Sequence, residues 1–124
     1  AGHARMAGYV ACQCRPGAVS GRYVVVVDED IDPSNLQDVV WAMCSRSDPA
    51  TGIATIRGSL GTPLDPIGDH QPGKNILEYT SNRAIIFAVK PFGRLLKGEF
   101  PRVVEPSPKV KARVLKQWSD ILSD

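Results

Sequence analysis

The 124-residue sequence predicts an α/β fold: a small βαβ-type layer of about three or four strands, with flanking helices and a long C-terminal helix. Three features carry that expectation. Tyr23 to Val27 form an unbroken β-branched and aromatic run, the character of a strand covered on both faces. The run passes through a carboxylate cluster, Asp28, Glu29, Asp30 and Asp32, straight into Leu36, Val39, Val40 and Met43 at helical spacing. Near the end, Val110, Val114, Trp118, Ile121 and Leu122 share one helical face behind a Ser107-Pro108 start.

In chain order, the Ala-rich residues 3–13 favour a helix, which Arg15-Pro16-Gly17 ends. Strand one covers 22–27. A helix follows from Ser34 to about Arg46, with Ser34 and Gln37 spaced as a capping box and Asp32 before Pro33 as an alternative cap. Asp48-Pro49 stops it. A short strand is expected at Ile53 to Arg57. Residues 58–75 hold prolines and glycines too densely for a regular element, and a loop of this length usually carries function. Ala84 to Val89 reads as strand three, 91–106 as a second punctuated connection, and 107–122 as the last helix. The strands are expected to be parallel, with a right-handed first crossover.

Composition bounds the function. A hydrophobic fraction of 43% and a charged fraction of 23% belong to a globular domain of ordinary size. A net charge of +2 gives no argument for nucleic acid, and no apolar run is long enough to span a membrane. Three cysteines, Cys12, Cys14 and Cys44, do not make a disulfide framework and fit reduced thiols in the cytoplasm. The opening Ala1-Gly2-His3-Ala4-Arg5-Met6, without an initiator Met, is expected of the interior of a larger polypeptide or of a processed or tag-cleaved product.

No self-contained catalytic constellation is present. Asp28, Glu29, Asp30 and Asp32 have the oxygen ligands that a hard cation such as magnesium takes. Alternate strand residues diverge, however, so helix capping and turn formation is the stronger reading. Cys12, Cys14 and His3 lack the ligand spacing of a zinc site. His70, beside Asp65 and Asp69, has no accompanying nucleophile and reads as a loop histidine. Arg15 in Cys-Arg-Pro-Gly could grip a phosphate, although a surface charge ending a helix is the plainer reading. The basic residues Lys109, Lys111, Arg113 and Lys116 have no interleaved aromatics for base stacking and read as a solvated helix face.

The segment from Tyr23 to Pro49 resembles the C-terminal domain of UbiD-type decarboxylases: a hydrophobic strand, an acidic Asp-Ile-Asp turn, then a helix containing Val40-Trp41-Ala42 and ending near Arg46 to Pro49. Gly61-Thr62-Pro63-Leu64-Asp65-Pro66 is similar to that family's Pro-Leu loop, and Val114 to Trp118 to its terminal helix. The resemblance covers residues 1–124 as a single domain. It implies the last domain or a small subunit of a lyase that removes or adds carbon dioxide on aromatic or α,β-unsaturated acids. The prenylated FMN, with its divalent metal and potassium, and the Glu-Arg-Glu network would lie outside this chain. The chain itself would hold no catalytic residue, metal or cofactor; it would pack on the flavin domain and mediate homo-oligomerisation. By the same resemblance Pro63 and Leu64 would cover the substrate, and Arg15 would reach the flavin phosphate. The chain departs from the family at Ser81 to Ala88, where many members carry Asp-Ala-Thr, which marks a divergent branch. A non-catalytic, stand-alone assembly module derived from the same domain is the alternative.

Overall fold

The computed structural model describes residues 2–14, 16–17, 21–68, 73 and 75–118. Its elements are α1 (Gly2–Gln13), β1 (Tyr23–Val27), α2 (Leu36–Arg46), β2 (Ile53–Leu60), a one-turn 3₁₀ helix (Ile76–Glu78), β3 (Thr80–Ala88), α3 (Phe92–Leu96) and α4 (Pro108–Gln117). Among the described residues the strands form one sheet in the order β1-β3-β2.

The sheet is mixed, which corrects the expectation of parallel strands. β1 runs parallel to β3, with Tyr23 opposite Ala84 and Val27 opposite Ala88. β2 runs antiparallel to β3, with Ile53 opposite Ile86 and Leu60 opposite Thr80. The reason lies in the connections. A parallel neighbour needs a covering crossover, and α2 supplies one after β1. Between β2 and β3 the described residues offer only turns and the 3₁₀ helix, so the chain doubles back.

The valine run behaves as a strand covered on both sides. Val24 and Val26 pack with Ile85, Phe87, Ala54 and Ile56 against Cys12 and Ala4 of α1. Val25 and Val27 pack with Ala88 and Ile31 against Val39, Ala42 and Met43 of α2. Period-two alternation thus sends successive valines into two separate apolar layers. Fully buried Cys12, Ala42, Ile85 and Ala88 mark the centres of these layers.

Several boundaries move. β2 does not stop at Arg57 but continues to Leu60. Gly58, at φ +64°, sits where the register shifts between Ile56 and Ser59, and its N–H donates to Asn82 Oδ1 at 3.2 Å. Glycine admits a bulge here rather than breaking the strand. β3 begins at Thr80, four residues before its apolar part, because the polar residues Thr80 and Ser81 pair with Leu60 and Ser59. The α2 cap is Asn35, whose side chain accepts from Gln37 N. Ser34 instead donates its hydroxyl to Asp32, so the expected Ser34–Gln37 box does not form. α3 occupies part of the connection read as irregular. Ser107 caps α4 through Val110 N, with Pro108 at the first turn, as the sequence suggested. Ile121 and Leu122 lie outside the described residues.

Gly8 brings α1 close against the sheet. A Cβ there would meet Ile85 Cγ2 at 2.7 Å and Val26 Cγ2 at 3.1 Å. In an exposed helix Gly→Ala gains up to about 1 kcal/mol. Here overpacking of the buried helix–sheet contact reverses the sign, and Gly8→Ala is expected to cost about 1–2 kcal/mol in urea unfolding.

Candidate functional site

Two edges of the sheet carry polar structure, and they differ in kind. At the edge where β1 and β3 begin and β2 ends lies the turn that bears Pro63 and Leu64. Gly61 N donates to Tyr79 O at 2.7 Å, which fixes the first foot of the turn. Asp65 N donates to Thr62 O at 3.1 Å, closing it over Pro63 and Leu64. Asp65 then receives the Arg22 guanidinium on both carboxylate oxygens and accepts Ile67 N at 3.0 Å. The feet are therefore held, while the tip faces outward: Pro63 is exposed and Leu64 is 80% exposed. An apolar side chain presented this way makes no contribution to the domain's own core.

Beside this turn, Arg83 of β3 is buried among backbone carbonyls. One terminal nitrogen donates to Cys12 O at 2.6 Å and Gly17 O at 2.5 Å, and the other to Leu60 O at 2.5 Å. It thereby satisfies an end carbonyl of α1, where intrahelical partners run out. Arg15 lies outside the described residues, as do Asp69 and His70; the segment carrying Arg15 is flanked by Cys14 and Gly17. Sequence reading passed over Arg83, because a charged residue in an unremarkable strand gives no sign that carbonyls will surround it.

At the opposite edge, the carboxylate cluster is engaged internally. The Arg46 side chain, only 1% exposed, bonds Asp28 at 3.1 Å and Asp30 at 2.8 and 2.9 Å. Lys90 N donates to Asp28 at 2.8 Å and Lys90 Nζ to Asp30 at 2.6 Å. The Arg46 guanidinium also lies over the Trp41 ring, 5.1 Å from its centroid. Hydrogen bonds from Arg46, then from Lys90, hold the Asp30 carboxyl far below the usual carboxylate range. Ser34 lowers Asp32 through its hydroxyl and backbone N–H. Asp28 and Asp30 thus fasten the ends of β1, α2 and β3 to one another, and Asp32 shapes the turn before α2. Helix capping itself falls to Asn35.

The other sequence candidates do not converge. Cys12 is buried while Cys14 is exposed and donates its thiol to Ala11 O, so the two point apart. His3 is exposed on α1. Among the described residues no group of three or more His, Cys, Asp or Glu could hold a metal ion. On α4, Lys111 pairs with Glu105 at 2.9 Å.

Residues 1–88 match the family profile of the 3-octaprenyl-4-hydroxybenzoate carboxy-lyase C-terminal domain, UbiD_C. The chain belongs to this family. It is 32% identical over 122 residues to a phenolic acid decarboxylase of Escherichia coli O157:H7, covering 98% of this chain and 23% of that protein. It is 34% identical over 83 residues to the phenolic acid decarboxylase of Sedimentibacter hydroxybenzoicus, covering 64% of this chain and 17% of that one. The structure of Klebsiella pneumoniae 3,4-dihydroxybenzoic acid decarboxylase superposes with a TM-score of 0.64 at 27% identity, over 90% of this chain and 22% of that chain. The chain thus spans about a quarter or less of the length of the relatives it matches.

UbiD-class HmfF of Pelotomaculum thermopropionicum, which shares the fold, has been solved with FMN. Among the described residues, Arg22 and Arg46 give terminal guanidinium nitrogens to carboxylates, and Arg83 gives its own to backbone carbonyls.

The carboxylate pin of this UbiD_C domain makes two predictions. Arg46→Met, which strands Asp28 and Asp30, should cost about 2 kcal/mol of stability in urea unfolding, somewhat below a fully buried pair because both carboxylates keep solvent contact. Asp30→Asn should flatten the acid limb. A carboxyl whose folded pKa is depressed contributes stability above its unfolded pKa and loses it as pH falls. The gap between the native protein and Asp30→Asn should therefore hold steady down to about pH 4 and close below it, read from urea midpoints across the pH range.

Proposed function

We propose that the protein carrying this domain is a prenylated-FMN-dependent carboxy-lyase that removes or adds carbon dioxide on aromatic or α,β-unsaturated carboxylic acids. The observation that carries the reading is the near full-length match of this chain to phenolic acid decarboxylases. A solved neighbour with prenylated FMN, a dimeric form of HmfF, adds support for the cofactor. The flavin, with its divalent metal and potassium, would be held by another domain or subunit and would supply the electron sink for carbon dioxide loss.

In this reading the domain contributes closure and assembly. Leu64, with Pro63 setting its turn, would lie over the substrate and exclude water. Its support is the combination of a firmly held turn and an exposed apolar tip. Arg15 would contact the flavin phosphate. α4 would dock on the flavin domain or on another copy of the chain: Val110, Val114, Leu115 and Trp118 are all exposed along a helix with no buried residue. No helix among the described residues is long and apolar enough to cross a membrane. The three free thiols suit a reducing compartment, and we place the protein in the cytoplasm.

The intact protein loaded with prenylated FMN should release carbon dioxide from cinnamic- or hydroxybenzoic-type acids, followed by gas evolution and product chromatography. Absence of turnover across both acid classes, with the flavin bound, would defeat the reading. Leu64→Ala should lower kcat/KM about tenfold or more, while stability stays within about 0.5 kcal/mol because the side chain is solvated. Val114→Glu with Leu115→Glu should shift the sedimentation profile of the intact protein toward smaller species while leaving the melting of this domain unchanged.

A further inference from the structure

We propose that Arg83 is a positioning residue that couples the Leu64 turn to the segment ending α1. The functional meaning of the coupling rests on the closure role proposed above; the coupling itself rests on geometry alone.

Arg83 is 3% exposed and projects from β3, the central strand, to meet, among the described residues, three carbonyls from two stretches of chain. On one side are Cys12 O and Gly17 O, which bracket the segment containing Arg15. On the other is Leu60 O, the last residue of β2 and the residue before Gly61, where the Leu64 turn begins. Gly17 O also accepts from Gly21 N at 2.8 Å, one residue before Arg22. Arg22 in turn grips Asp65 at the far foot of the Leu64 turn. Both feet of the turn are therefore tied to the 12–22 stretch, one by Arg83 and one by Arg22.

Side-chain packing is incomplete at this junction. A cavity of about 170 Å³ lies at the junction, lined by Cys12, Gln13, Ser59, Leu60 and Arg83. Side chains that do not interlock transmit little displacement, whereas a planar guanidinium with donors fixed in one fork does. If Arg83 keeps its bonds, a shift of the Gly17 turn must move either the guanidinium or Leu60. The setting of Gly17 and that of the Leu64 tip are thereby coupled in both directions.

A double-mutant cycle in the intact protein tests this, read by hydrogen exchange of residues 61–65. A Cβ at Gly17 would fall 2.0 Å from Ala11 O, so Gly17→Ala must displace that turn. Gly17→Ala should raise exchange at 61–65 several-fold. In an Arg83→Lys background, where the charge remains but the fork is lost, Gly17→Ala should raise exchange clearly less than it does with Arg83 present, the remainder passing through Gly21, Arg22 and Asp65. Gly52→Ala is the control for general destabilisation: its Cβ would meet Ser47 Oγ at 2.6 Å, at the opposite edge. It should leave exchange at 61–65 unchanged. An unmoved 61–65 in Gly17→Ala, an equal rise in the presence and absence of Arg83, or the same rise from Gly52→Ala would each overturn the proposal. Failure of Leu64→Ala to affect turnover would instead count against the closure role and leave the cycle intact.

Discussion

The central strand β3 is the constraint on which the domain depends. It is hydrogen-bonded to β1 on one side and β2 on the other, and it is covered by α1 on one face and α2 on the other. A strand so enclosed must present apolar side chains to both faces along its middle, and Ile85, Phe87 and Ala88 do so. Its ends, where helices and neighbouring strands run out, must settle leftover polar groups by other means.

Arginine solves that problem twice, with different chemistry. Where β1 and β3 end, Arg46 meets carboxylates, so the buried cation and its anions neutralise one another. Where they begin, Arg83 meets carbonyls, and the cation serves as a multiple hydrogen-bond donor. The first arrangement locks the sheet to α2. The second reaches the turn that exposes Leu64. In many open α/β sheets ligands gather where the parallel strands end. Here the carboxylates of that edge are engaged by Arg46 and Lys90, and the exposed apolar tip stands at the other one. Antiparallel β2 is the cause, because it carries the chain back across the sheet before the turn.

Legibility in the sequence followed the range of the interaction. The valine strand, the existence of α2, the Ser107-Pro108 start of α4 and the Pro63–Leu64 loop were readable, because each is encoded in adjacent residues or at helical spacing; of the expected α2 face, Val39 and Met43 pack inward while Leu36 and Val40 are exposed. The carboxylates were readable as structural, but their partner was not. Arg46 lies 16 to 18 residues away, and nothing local to Asp28 or Asp30 points to it. The bulge at Gly58 misled for a related reason: a glycine between apolar residues looks like an ending, and only the pairing with β3 shows that the strand goes on.

The sequence alone determined that this is a small α/β domain with helices flanking the sheet and an amphipathic final helix, and through its Tyr23–Pro49 block it pointed to the UbiD family. Those properties depend on local periodicity and short motifs, which survive in a linear reading. Tertiary structure decided the direction of β2, the partners of the carboxylates and the burial of Arg83 among carbonyls. Strand direction is a matter of which connection covers which edge. The fate of a buried charge depends on oxygens brought to it from segments as far as 71 residues away. Neither can be read until the chain has folded back on itself.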